Sequence, residues 1–191
     1  MEPGTGRMLV VRHGETAWSR EGRHTGRTDV PLTAEGEVQA RGLAEVLSGW
    51  APALVLTSPL GRARRTAELA GLHPEIDADL AEWDYGVYEG RTTGEIRAID
   101  PGWSVWDSPP GLGESLGEVA LRARRVLHRC GPLLAAGDDV VLVAHAHLLR
   151  ILTATWLDLP PRAGEGLVLG PASTGVLGHE RETRALLRWN A

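Results

Sequence analysis

Residues 12 to 16 read RHGET and follow directly on an apolar run, MLVV, at 8–11. A strand that only had to close would stop on turn formers. This one stops on a guanidinium, an imidazole and a residue without a side chain. Neutral imidazole is a nucleophile, and its unperturbed pKa near ~6.5 leaves much of it neutral at cellular pH. A guanidinium is a planar, fixed cation that holds oxyanions. The pairing of apolar run and reactive group recurs twice. Arg62 comes shortly after the run at 53–57, and His145 directly after that at 140–144. Taken singly, a His at a strand end is a structural hydrogen-bonding residue and an Arg near a helix start a solvated charge. Arg12, His13, Arg62 and His145 at the ends of three buried strands are a different matter. Together they suit a phosphoryl group.

The elements that must position these residues are legible in the apolar pattern. Met8–Val11, Ala53–Thr57 and Val140–Ala144 are too continuous for one-sided strands, so they are expected to be buried on both faces of a mostly parallel sheet. Helical spacing lies between them: Leu43, Val46, Leu47 and Trp50 fall at i, i+3, i+4 and i+7. Ser58-Pro59 has the form of an N-cap and N1 pair, with Gly71 closing that helix. Ser115 to Glu118 forms a capping box ahead of a stripe at Val119, Ala123, Val126, Leu127 and Cys130. Gly131-Pro132 predicts a kink or an early end. A further helix is expected over Leu148 to Leu159, and edge strands over Val176–Gly178 and Leu186–Trp189. The segments Gly22–Thr33 and Asp100–Gly113 are long Gly/Pro-rich loops, of the kind that carry function. The expected fold is a three-layer α/β/α domain with a mostly parallel central sheet, the whole of 1–191 as one unit. Reactive groups then gather at the carboxyl edge of the sheet, beside helix N-termini that favour anions.

Composition narrows the chemistry. All 20 cationic residues are Arg, so Schiff-base, PLP-anchoring and P-loop lysines are excluded. Net charge of −5 argues against a nucleic-acid partner. Cys130 is the single cysteine, so no internal disulfide or Cys-based metal site exists. No stretch is long and apolar enough for a bilayer span, and the opening MEPGTGRML lacks a signal-peptide core. A cytoplasmic protein without a membrane partner is the expectation. His145-Ala146-His147 has ligand-like spacing but neither cysteines nor a carboxylate set beside it, so no metal is expected.

The blocks RHGET at 12–16, HTGRTDVPLT at 24–33, TSPLGRARRTA at 57–67, EWDYGVYEG at 82–90 and VAHAH at 143–147 together resemble the histidine phosphatase superfamily, in its phosphoglycerate-mutase-like branch. The resemblance spans roughly residues 8 to 155. It implies a phosphoglycerate-mutase-like fold and no cofactor, with His13 as the nucleophile that becomes phosphohistidine. Arg12, Arg62 and His145 would hold the phosphoryl oxygens, and Glu82 would protonate the leaving group. Ser19 stands where the family often has a phosphate-contacting Asn. Thr25, Gly26, Trp83, Ala146 and His147 are the further substrate-binding candidates, Ala146 through its backbone N–H. Dimers are frequent in the superfamily, so a homodimer is expected on the resemblance alone.

Mutases of this branch need cations for a substrate carboxylate. Here WSVWDSPPG at 103–111 places Trp and Val where their Arg pair stands, and Trp83 follows Glu82. Hydrolysis of a small phosphate ester is therefore favoured over mutase-type transfer, and a phospho-ligand binding module is disfavoured because every catalytic group is retained. The EWDYGVYEG and AHAH blocks look most like relatives acting on sugar phosphates and like broad-specificity acid phosphatases. Trp83, Tyr85, Trp103 and Trp106 have two readings: aromatic faces for a sugar, or staples for a Gly/Pro-rich cap. The arginines at 122, 124, 125 and 129 read as a solvated helix face.

Overall fold

The computed structural model describes residues 6–107 and 113–191. Successive residues of the strand Met8–Arg12 (β1) face opposite sides of the sheet, which lets one short run serve two cores. Met8 and Val10 pack into one cluster with Leu56, Val140 and Leu142. Leu9 and Val11 pack into the other with Val141 and Val143. The remaining strands are Leu54–Thr57 (β2), Glu75–Ile76 (β3), Val140–Ala144 (β4), Thr174–Glu180 (β5) and Thr183–Trp189 (β6). Their order is β3-β2-β4-β1-β5-β6. The first four are mutually parallel, and β5 runs antiparallel to both β1 and β6. The mostly parallel sheet follows the expectation. β5 departs from it, because it is paired on both sides; of the two, β6 alone lies at an edge.

The helices are Ala17–Arg20 (α1), Ala34–Leu47 (α2), Gly61–Leu69 (α3), Thr93–Arg97 (α4), Leu116–Ala136 (α5) and Ala146–Trp156 (α6). α2 and α3 cover the face carrying Leu9 and Val11, through Leu43, Leu47, Ala63 and Ala67. α5 and α6 cover the other through Val119, Val126, Leu148 and Leu152. On α2 the buried stripe is Gly36, Ala40, Leu43 and Leu47, while Val46 is exposed and Trp50 lies beyond the helix end. No helix among the described residues is long and apolar enough to cross a membrane.

Three local expectations fail for tertiary reasons. α3 does not start at Ser58-Pro59; its N-cap is Leu60, which offers no capping side chain. The cap comes from Asp29 in the distant loop, whose carboxylate accepts from Gly61 N at 2.6 Å and Arg62 N at 3.4 Å. Pro132 does not end α5, which runs on to a left-handed C-cap at Gly137, φ 94°. Burial of Cys130 and Leu134 on either side outweighs the missing backbone hydrogen bond. The arginines of α5 are not all solvated: Arg122 is buried and pairs with Glu114 at 2.6 Å. Part of the Asp100–Gly113 loop, 108–112, lies outside the described residues; Val105–Asp107 forms a 3₁₀ turn.

Candidate active site

β1, β4 and β2 end in register: Arg12 stands opposite Ala144, and Thr57 opposite Val143. The residues that follow, His13, His145 and Ser58, therefore meet at one edge. The His13 and His145 ring centroids are 5.1 Å apart at 60°. His13 N donates to Ala144 O at 3.0 Å, and His13 Nδ1 lies 2.7 Å from Gly14 O. A carbonyl can only accept, so Nδ1 carries the proton and Nε2 keeps its lone pair. Gly14 is required because a Cβ there would strike the Gly36 carbonyl in the first turn of α2. Its amide donates to Thr66 Oγ1 at 3.1 Å, and that hydroxyl donates to Arg62 O at 2.8 Å, which ties the RHG turn to α3.

Arg62 is 1% exposed. Its guanidinium donates to the backbone carbonyls of Thr28 at 2.8 Å, Thr25 at 3.0 Å and Gly26 at 2.9 Å. Thr25 and Gly26 thus hold Arg62 through their carbonyls, and the Thr25 hydroxyl donates to Arg23 O. Glu89 braces this loop by accepting from the Arg27 and Thr28 amides and from the Thr28 hydroxyl. A side chain at Gly26 would collide with Glu89 and Trp83 O. Arg12 Nη1 donates to Leu169 O at 2.6 Å. Arg12 Nε, Arg62 Nε and His145 Nδ1 are buried and have no hydrogen-bond partner among the described residues.

Electrostatics keep the imidazoles neutral. Burial lowers the His13 pKa well below its usual value, and the Arg12 and Arg62 charges push the same way. His145 is lowered well below its usual value by burial, then by Arg62, His13 and Arg12. Both guanidinium groups are themselves pushed down by burial, with Glu82 opposing. The carboxyl oxygens of the buried Glu82 accept from Trp83 N at 3.0 Å, His147 N at 3.1 Å and Leu148 N at 2.9 Å. It therefore caps α6, whose N-cap residue is His145 with extended backbone. The Ala146 amide, ahead of these two, finds no acceptor among the described residues.

The remaining candidates divide. Ser19 Oγ accepts from Thr16 N at 2.9 Å and donates to Thr16 O at 3.0 Å, so its hydroxyl closes the capping box of α1. Trp83, Trp103 and Trp106 lie in the larger core cluster, each less than a tenth exposed, and Trp83 Nε1 donates to Glu114 O at 2.7 Å. Trp103 Nε1 is buried with no hydrogen-bond partner among the described residues. His147 sits among Trp83, Tyr85 and Trp106, with its Nδ1 2.7 Å from Tyr85 Oη. His24 faces it at 6.3 Å between centroids, and burial lowers the His24 pKa to about 4. Two contributors escaped the sequence reading. Ser58 Oγ lies 2.7 Å from His145 Nε2, a role hidden behind its resemblance to an N-cap. Arg150, one turn beyond Ala146 on α6, stacks over Trp106 at 4.9 Å, and its charge helps lower the Arg12 and His147 pKa values. No three His, Cys, Asp or Glu side chains among the described residues form a metal-binding group.

Fold and site define an α/β enzyme scaffold with two neutral imidazoles and two buried guanidiniums at the carboxyl edge of its sheet. The chain belongs to the histidine phosphatase superfamily (branch 1), whose profile matches residues 8–191. It is 41% identical over 183 residues to an acid phosphatase of Mycobacterium tuberculosis, covering 94% of this chain and 90% of that one. To sedoheptulose 1,7-bisphosphatase of Saccharomyces cerevisiae it is 35% identical over 186 residues, 81% and 69% of the two chains. The solved structure of an open reading frame product of M. tuberculosis superposes with a TM-score of 0.92 at 40% identity, covering 97% of each chain.

Proposed function

We propose that this enzyme, a single domain, hydrolyses small phosphate esters, sugar phosphates foremost, through a phosphohistidine on His13. The observation that carries the reading is the set of three buried nitrogens without partners, the donors Arg12 Nε and Arg62 Nε together with His145 Nδ1, around a nucleophile held in one tautomer. Buried donors are satisfied in native proteins, and an anionic ligand is the natural partner for these. His13 Nε2 attacks phosphorus, and the bond from phosphorus to the ester oxygen breaks. The departing oxygen takes that electron pair and a proton from Glu82. Water then attacks the phosphohistidine and returns a proton to Glu82. Phosphate leaves, and the lone pair returns to Nε2. Arg12, Arg62 and His145 supply the charge stabilisation, of the kind worth about 3 kcal/mol per donor removed.

The sugar-phosphate preference draws support from the sedoheptulose 1,7-bisphosphatase relative and from His24 and His147, two imidazoles among aromatic rings beside the site. Rapid mixing with ³²P-labelled glucose 6-phosphate should trap a phosphoenzyme stable in alkali and labile in acid. His13→Ala should trap none and lose turnover by 10³-fold or more, and excess chelator should leave the wild-type rate unchanged. Wild-type turnover in His13→Ala would overturn the mechanism. Conversion of 3-phosphoglycerate to 2-phosphoglycerate faster than phosphate release from the best ester would overturn hydrolysis.

A further inference from the structure

A second cavity, of about 680 Å³, opens far from the phosphoryl site. Ligand pockets span roughly 300–1,000 Å³, so its size alone admits a small molecule. Its walls are the C-terminal half of α5, the end of α6 and the β5–β6 hairpin. The reactive residues sit at the other end of α6, whose 11 residues span about 16 Å.

The chemistry of the lining is specific. Leu127, Leu134, Pro132 and Leu159 supply an apolar floor, and the buried Trp156 lies beneath Arg184 and His179. Arg184 lies over the Trp156 ring at 4.9 Å and has only a loose contact to the exposed Asp158, at 3.7 Å. Arg125 and Arg129 are paired with Asp79, Asp77 and Glu75. Arg124 beside them lines the cavity and has no ion-pair partner among the described residues. The rim is thus two cations against one carboxylate.

Polar atoms inside complete the pattern. His179 packs edge-on to Trp156, and its Nδ1 is buried without a partner. Pro132, costly in the middle of a helix, has no N–H for the carbonyl of His128, another residue of the lining. Gly131 has open space where a Cβ would stand. Local sequence rules are broken where the cavity lies, which is where departures from good helix chemistry are expected to serve a site.

We propose that this cavity is a second binding site, for a small organic anion whose acidic group meets Arg124 and Arg184 and whose apolar body lies against Leu127, Pro132 and Leu159. It does not depend on the phosphatase reading. The test titrates the purified enzyme with 8-anilinonaphthalene-1-sulfonate, an aromatic sulfonate, by fluorescence. One dye per chain is expected, with affinity weakened tenfold or more by Arg124→Glu and by Gly131→Leu, which fills the open space. Both variants should keep the wild-type thermal midpoint and p-nitrophenyl phosphate turnover. The His13→Ala substitution should leave dye binding unchanged. Loss of dye binding in His13→Ala, absence of saturable binding, or wild-type affinity in both cavity variants would overturn the proposal. So would sedimentation showing a wild-type dimer that Arg124→Glu dissociates, since the cavity would then be a subunit interface.

Discussion

At the scale of single residues, the site works by fixing protons. Gly14 O settles the His13 tautomer, and Ser58 is the hydrogen-bond partner of His145 Nε2. Ser58 Oγ accepts from Leu60 N at 3.2 Å and lies 2.7 Å from His145 Nε2, and with a second lone pair and a proton it can either accept from or donate to that nitrogen. With Ser58 donating to Nε2, the ring proton sits on Nδ1, the atom without a partner, and can be given to a phosphoryl oxygen. Ser58→Ala should therefore lower kcat/KM by roughly 5- to 150-fold, the equivalent of about 1–3 kcal/mol for a buried group left unpaired. Steady-state kinetics decide it, and an unchanged kcat/KM removes Ser58 from the mechanism. Glu82 is separable in another way. A sugar alkoxide must be protonated as it leaves, and p-nitrophenolate far less so. Glu82→Gln should slow glucose 6-phosphate hydrolysis by roughly 10²-fold or more, the usual size of a general-acid contribution, and p-nitrophenyl phosphate much less. Equal losses on both would assign Glu82 to capping α6 alone.

Among the elements, the segment carrying Glu82 is held from outside by α5. Arg122 donates to the carbonyls of Asp79 at 2.7 Å and Ala81 at 2.8 Å while paired with Glu114. Glu114 O in turn accepts from Trp83 Nε1. One buried ion pair therefore sets the position of the stretch 79–83. Removing one partner strands the other charge, so Arg122→Met should destabilise by about 3–5 kcal/mol. Replacing both, Arg122→Met with Glu114→Leu, should recover part of that loss in urea denaturation. A double variant no more stable than the single one would show that the backbone bonds, not the pair, carry the effect.

The whole molecule holds four imidazoles in their neutral form. His13, His145 and His147 are lowered well below the usual value, and His24 to about 4, burial being the leading cause in each. Unfolded histidines take up protons near pH ~6.5, whereas the folded ones wait for stronger acid. Between these values the unfolded chain binds more protons, so stability is complete above about pH 6.5 and falls as pH drops toward 4. Each histidine contributes up to about 1.4 kcal/mol per pH unit across that window. Carboxylates lowered by arginine partners, such as Asp79 and Asp139, add their loss only below about pH 4. Urea midpoints at pH 7.5, 6 and 5 should therefore decline steadily, and less steeply in His24→Gln. A flat profile over that range would contradict the buried neutral imidazoles.

Local order along the chain was enough to show three buried strands, the helices between them, and Arg12, His13, Arg62 and His145 at or shortly after their ends. Strand periodicity and apolar runs are properties of neighbours in sequence, and the family blocks are read directly from residue types. What the chain could not show were contacts closed by folding. Asp29 caps α3 across 32 residues, Glu82 caps α6 across 65, and Ser58 meets His145 across 87. Ser58 has the residue type of a helix cap, Arg122 that of a solvated cation, and Pro132 that of a helix end. In each case a partner remote in sequence outweighed the local preference, because burial and an unsatisfied polar group cost more than a fraction of a helix turn.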